Sequence, residues 1–259
     1  MKKSINIILI IIFFLMMSYF ILKIVLYKTT FDYKNQDIID YDGIERSYIT
    51  LSTREKIDIA FNEKNDDVLF VYFHGNRGRL SFIMNFLKDN YSFVSPSYPG
   101  YANSSGKPSV KNIYETVEKT KDFINDKFPN KKIYVIGHSL GSQSSFYYAT
   151  IENNIKTLGI LEGFDSVYNI CRERLKKFGF LCFVSQNSFN AKKLAMQNTL
   201  PFTVISFHSP QDVIVSFNRG LNLYNKIKAK KKMFFTLPQG EHGNFDPRLV
   251  TDIMIDNGS

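Results

Sequence analysis

A short apolar strand pattern, Ile133–Ile136, runs straight into Gly137-His138-Ser139-Leu140-Gly141, and a helical stretch through Ile151 follows. Strand, glycine-flanked turn and helix in that order leave few architectures open. Val68–Phe73 (VLFVYF) is a second continuous apolar run, and it ends in His74-Gly75-Asn76. Such runs suit strands buried on both faces of a parallel sheet. Strand patterns recur at Ser47–Leu51, Ile57–Phe61, Tyr91–Ser95, Thr157–Leu161, Phe202–Phe207 and Met233–Leu237. Helical patterns fall at Leu80–Leu87, Val110–Phe128, Ser216–Ile227 and Leu249–Ile255, with Pro129 stopping the longest. The alternation predicts βαβ units, an α/β fold with a mostly parallel sheet and helices on both faces. Gly163 to Thr199 is longer than a crossover needs. It reads as a small helical cap over the site, or else as a plain surface excursion.

Ahead of this body stands an uncharged apolar run, Ile5–Leu22, which resumes after Lys23 as Ile24-Val25-Leu26-Tyr27. A helix needs about 20 apolar residues to cross a bilayer, and a flanking lysine can snorkel. A cleavable signal peptide has a core of only about 7–15 residues and a small-residue cut site. The run is longer, and no Ala-x-Ala follows it, so it reads as an uncleaved single-pass anchor. Lys2 and Lys3 draw the N-terminus to the cytoplasm and favour an extracytoplasmic body, against the opposite pull of Lys23, Lys28 and Lys34. Outside the cell Cys171 and Cys182 are able to form a disulfide; in the cytosol they would be thiols. The division expected is an anchor over 1–30, a linker over 31–46 and one domain over 47–259, with the cap at 163–199.

Charge narrows the partners. The chain of 259 residues carries 33 Lys+Arg against 24 Asp+Glu, a net +9. Lys2, Lys3, Lys23 and Lys28 precede the first acid, Asp32, so the remainder holds only 29 − 24 = +5. That mild excess argues against a dedicated nucleic-acid binder. The run Lys226, Lys228, Lys230, Lys231 and Lys232 has no interleaved aromatics and reads as a solvated helix end and strand start. Two cysteines cannot build a four-cysteine zinc site, and no metal or organic cofactor is expected.

Gly137-His138-Ser139-Leu140-Gly141 fits G-x-S-x-G, the turn that lifts a serine oxygen clear of a strand–helix junction. A serine hydroxyl needs a base. Of the four histidines, His242, in a turn after the last strand, lies at the carboxyl end of the sheet, where open α/β sheets build their sites. His138 and His208 read as structural. Asp212, after the strand Phe202–Phe207, completes the order Ser139, Asp212, His242. Glu162 and Asp165 compete as the acid, and Asp246 reads as a helix cap before Pro247. Backbone N–H groups of Leu140 and Asn76 are the expected oxyanion donors, with His74, Gly75, Gly137 and Gly141 shaping the two turns.

HGNRG, SPSYPGYANSSGKPS, GHSLGS, HSPQDVIV and QGEHGNF, in this order, resemble the α/β-hydrolase superfamily. The resemblance runs from about Ser47 onward and is closest to compact membrane-anchored serine hydrolases: lysophospholipid and monoacylglycerol lipases and protein depalmitoylases. It implies a triad of Ser139, Asp212 and His242, oxyanion donors at Asn76 and Leu140, and a substrate that is an acyl ester or thioester, lipid or lipidated protein. His208-Ser209-Pro210 departs from the family's usual His-Gly. A serine aminopeptidase-like enzyme and an inactive membrane-tethered scaffold are the competing expectations. Phe178, Phe180 and Phe183 are read as cap core, or as the lining of an acyl groove.

Overall fold

The computed structural model describes residues 2–33, 43–79, 81–185, 188–238 and 240–258. Most of the expected linker, 34–42, lies outside them, as do Leu80 and Gln239 of the expected helix and histidine turn. The body is an eight-stranded sheet: β1 (Glu45–Thr50), β2 (Lys56–Asn62), β3 (Val68–Phe73), β4 (Ser92–Pro96), β5 (Lys132–His138), β6 (Ile155–Leu161), β7 (Leu200–His208) and β8 (Ala229–Thr236). Their order in space is β1-β2-β4-β3-β5-β6-β7-β8. β1/β2 and β2/β4 are antiparallel; every other pair is parallel.

Two cores follow from the alternation of side chains along buried strands. Leu69, Val71 and Phe73 of β3 and Ile133 and Val135 of β5 face one side. There they meet Ile113, Val117 and Ile124 of α3 (Val110–Lys127) and Phe146 and Tyr148 of α4 (Gly141–Ile151). Phe70, Tyr72, Tyr134 and Ile136 face the other side, against Ile83, Met84 and Leu87 of α2 (Ser81–Asn90) and Val250 and Met254 of α8 (Pro247–Asp256). Ser109 caps α3 in a reciprocal box with Asn112, which satisfies amides the first turn leaves open. Asp246 caps α8 by accepting the Arg248 N–H, with Pro247 inside the first turn. β1 and β8 are the sheet's edges. Exposed Lys230 and Lys231 blunt the open side of β8.

Between β6 and β7 the chain forms α5 (Val167–Leu175), a 3₁₀ segment (Lys176–Ser185) and α6 (Ala191–Gln197). α6 belongs to the body: Ala191 and Ala195 are core residues, and the Ala191 N–H donates to Gln143 Oε1 at 2.7 Å. The excursion is therefore α5 and the 3₁₀ segment, joined by a Cys171–Cys182 disulfide. α7 (Phe217–Lys226) follows β7.

α1 (Lys2–Thr30) is one helix, and Leu9–Thr30 is apolar and long enough to cross a bilayer by length and composition. Its C-terminal end is seated on the body. Phe31 is a core residue against Phe189, and the Asp32 N–H donates to Asn76 Oδ1 at 2.8 Å. The first residues of the expected linker are thus part of the packed body.

Candidate active site

The ends of β3, β5, β6, β7 and β8 converge at the carboxyl edge of the sheet. β5 ends at His138 and α4 begins at Gly141, so Ser139 occupies a turn with no residues to spare. Its φ is +53°, in the left-handed region that non-glycine residues seldom adopt. The turn is held by the Ser139 N–H donating to Leu161 O at 2.9 Å and the Ser142 N–H donating to Ser139 O at 3.0 Å. Neither flanking glycine has room for a methyl group. At Gly141 it would run into the carbonyl oxygen of Phe73, and at Gly137 into the Ser145 hydroxyl.

His242 stands in the loop between β8 and α8. Its Nε2 lies 2.9 Å from Ser139 Oγ and its Nδ1 2.7 Å from Asp212 Oδ2. With a carboxylate beyond Nδ1, the neutral ring carries its proton on Nδ1, which leaves Nε2 to accept the hydrogen bond of the Ser139 hydroxyl. Asp212 is itself fixed: Oδ1 accepts the N–H groups of Ile214 and Val215, both at 2.8 Å. Burial alone would raise its pKa. Hydrogen bonds from His208 and His242, with the charge of His242, outweigh that and hold it well below the usual carboxylate range. His208, read as structural, keeps Nε2 2.9 Å from Val215 O and 3.4 Å from Asp212 Oδ2, bracing the acid loop.

A second carboxylate lies under the same imidazole. Glu162 follows β6 with φ +50° and is fully buried. Its Oε2 accepts the Gly243 N–H at 2.6 Å, meets His138 Nε2 at 3.2 Å, and stands 3.5 Å from His242 Nδ1. Of the acids weighed from the sequence, Asp212 makes the closer contact with the histidine. Glu162 fixes the backbone that carries it. Asp165 is engaged elsewhere, with Arg219 at 3.2 Å and Asn169 at 2.7 Å. His138 does not turn wholly away from the site: its ring lies 5.1 Å from that of His242. Burial pushes its pKa down, against the opposing hydrogen bond to Glu162.

His138, Glu162 and His242 bring one donor atom each within 4.8 Å of one another, close enough to hold a metal ion. Both nitrogens of His242 and the Oε2 of Glu162 already carry protein hydrogen bonds. An ion there would have to displace the contact with Ser139 or Asp212.

The loop after β3 supplies the opposite wall. His74 is buried with Nδ1 2.7 Å from Gly75 O, and its ring lies 4.2 Å from that of Tyr98. Burial, helped by Arg79, pushes its pKa down to about 3. Asn76 Oδ1 accepts from the Tyr101 hydroxyl and from the Asp32 N–H, both at 2.8 Å. Leu140, in helical conformation at the start of α4 (φ −55°, ψ −36°), carries one of the amides that a helix's first turn leaves without an internal acceptor.

Asn76, Ser139 and Leu140 line one cavity of about 270 Å³. Its other walls are Phe164, Val167, Ile170, Cys171 and Leu175 around α5, Ile214 and Val215 of the acid loop, and Leu22, Val25, Leu26, Thr29 and Thr30 of α1. Arg174 is the only charged side chain among the described lining residues. Phe178, Phe180 and Phe183 are neither cap core nor cavity lining. They project from the 3₁₀ segment 63%, 71% and 48% exposed, because that short segment has one side on the body and leaves the other bare. The α1 wall was not legible in the sequence, since every face of that helix is apolar.

The comparisons agree with this architecture. A family profile described as alpha/beta hydrolase fold matches residues 68–170, from β3 into α5. A Saccharomyces cerevisiae protein described as an uncharacterized membrane protein is 28% identical over 243 residues, covering 86% of this chain and 84% of that protein. Among solved structures, a Pyrococcus furiosus esterase superposes with a TM-score of 0.68 at 13% identity, covering 87% of this chain and 96% of its own. Acetyl xylan esterase 1 from Thermoanaerobacterium superposes at 0.62 with 14% identity, covering 92% and 94%. At such identities the likeness is one of fold.

Proposed function

We propose that this chain, which has the α/β-hydrolase fold, is a membrane-anchored serine hydrolase that cleaves ester or thioester bonds of acyl substrates. The observation that carries the reading is the continuous relay from Ser139 Oγ through His242 to Asp212, at 2.9 and 2.7 Å. Ser139 attacks the carbonyl carbon while His242 Nε2 takes its proton. Asp212 holds the ring and stabilises the imidazolium. The developing oxyanion is met by the N–H groups of Leu140 and Asn76. His242 then returns the proton to the leaving alcohol or thiol, and water resolves the acyl-enzyme through the same base.

The cavity argues for an acyl group over a peptide. A peptide amine would call for a carboxylate, and the one charge among the described lining residues is the cation Arg174. The Cys171–Cys182 disulfide supports an extracytoplasmic body, since such bonds persist in oxidising compartments. That side is the one Lys2 and Lys3 favour.

The test is turnover. The full chain in detergent micelles is expected to hydrolyse p-nitrophenyl and thioester acyl substrates, and Ser139→Ala to abolish the activity. A folded wild type that turns over none of them would leave an inactive scaffold as the reading.

A further inference from the structure

The membrane helix does more here than tether the body. Its residues on the cavity wall are Leu22, Val25, Leu26, Thr29 and Thr30. That spacing, i, i+3, i+4, i+7 and i+8, is one continuous face of an α-helix. At its upper end the helix is clamped beside the nucleophile: Asp32 is bonded to Asn76, and Phe31 is sunk in the core. From Thr30 down to Leu22 the face runs about 12 Å along the axis, at 1.5 Å per residue. Lys23, next to its lower end, places its ammonium 5.0 Å from the Tyr19 ring centroid. A lysine and a tyrosine at the end of an apolar span are the pair expected at a membrane surface; the span is then the uncharged run Ile5–Leu22, about 27 Å of helix against a hydrocarbon core of about 30 Å.

The excursion reaches the same level. Phe183 stacks on Tyr19 with ring centroids 5.8 Å apart, one turn below Lys23 on the bilayer side. Beside it Phe178 and Phe180 are bare to solvent, and Arg172, Lys176 and Lys177 are exposed cations on the same stretch, a type of side chain that pairs with phosphate groups. The disulfide ties this aromatic segment to α5, the wall of the cavity facing α1.

We propose that α1 is half of the substrate-binding site: the acyl chain of a membrane-resident ester or thioester passes from the bilayer into the cavity between the Leu22–Thr30 face and α5. The aromatic segment rests in the headgroup layer at the mouth. The cavity, about 270 Å³, falls just below the range of ligand pockets, which run from about 300 to 1,000 Å³. That is room for part of one acyl chain, the rest staying in the bilayer, and not for the two chains of a diacyl lipid. This inference rests on the hydrolase reading above.

The test uses the full chain reconstituted in phosphatidylcholine vesicles, with p-nitrophenyl acetate and p-nitrophenyl palmitate as substrates. Two further arms, 1-palmitoylglycerol and a palmitoyl-thioester peptide, separate the sources of the chain. Val25→Trp and Leu26→Trp fill the wall. Ile21→Trp, on an exposed side of α1 outside the cavity, is the control. Filling the wall is expected to lower the palmitate-to-acetate ratio of kcat/KM at least about tenfold, the discrimination a single methylene commands in an apolar pocket. Ile21→Trp is expected to keep the wild-type ratio. Equal ratios in all four proteins, with wild-type turnover intact, would overturn the α1 wall and leave the hydrolase standing. No turnover of either ester by folded wild type would overturn the hydrolase reading and this inference with it.

Discussion

Replacing Asp212 by Asn tests the relay at its most informative point. Asp212 Oδ1 is committed to two backbone N–H donors at 2.8 Å. An asparagine must keep its carbonyl oxygen on those donors, so its NH₂ group faces His242 Nδ1. Two donors cannot share that contact, and the ring answers by moving its proton to Nε2. A proton then points at Ser139 Oγ where a lone pair is needed. In serine proteases of the chymotrypsin type the same exchange leaves the geometry intact, and the wrong tautomer costs about 10⁴ in kcat. A loss of that order is predicted here. Glu162→Gln is the comparison, because Glu162 lies 3.5 Å from the same nitrogen. A unit charge at that distance is worth at most about 5 kcal/mol against an imidazolium at an effective dielectric of 20. Glutamine can still accept the Gly243 N–H, so a smaller loss of about 10- to 100-fold is expected. The assay is kcat/KM on a soluble p-nitrophenyl ester, with near-ultraviolet circular dichroism as the check on folding. Glu162→Gln matching or exceeding Asp212→Asn would refute the reasoning and make Glu162 the orienting acid.

Other consequences are as direct. Gly141→Ala drives a methyl into the Phe73 carbonyl and is expected to cost about 3 kcal/mol or more, with loss of activity. Gly179→Ala, whose nearest neighbours would lie at 3.6 Å, should stay within about 0.5 kcal/mol; thermal melts compare them. Replacing Cys171 and Cys182 by Ser opens a link between residues 11 apart. The unfolded-chain entropy it removes is worth about 3 kcal/mol, so faster proteolysis within residues 176–185 is expected. Because burial holds His74 neutral down to about pH 3, unfolding takes up a proton at any pH between there and the ordinary histidine value of about 6.5. Stability therefore falls as the pH drops through that window, by up to about 1.4 kcal/mol per pH unit. The Tm of His74→Asn should fall less steeply than wild type between about pH 6.5 and 4, and parallel slopes would count against it.

What the sequence carried plainly was whatever strong local constraint writes into residue type. Buried parallel strands need unbroken apolar runs, and Val68–Phe73 has the bounds expected. The Ser139 turn needs glycine on both sides, and both are there. The order of Ser139, Asp212 and His242 along the chain is likewise open to reading, and the structure brings their side chains together. Glu162 was one of several acids on paper. Only the register that sets β6 beside β5, with a left-handed backbone at Glu162, puts its carboxylate under His242. Phe178 and Phe180 are exposed although their residue type is one usually buried in a core, so type alone does not place them. The cavity-lining face of α1 was illegible for a different reason. A helix apolar on every side carries no periodic contrast, so nothing marks Leu22, Val25 and Leu26 apart from their neighbours until the body is seen against them.

The central claim is an activated serine at 139, and a fluorophosphonate probe reads it without any choice of natural substrate. The full chain in detergent is predicted to label rapidly and stoichiometrically, and Ser139→Ala and His242→Ala not at all. A well-folded wild type that resists the probe, or a Ser139→Ala protein that still labels, would contradict the account.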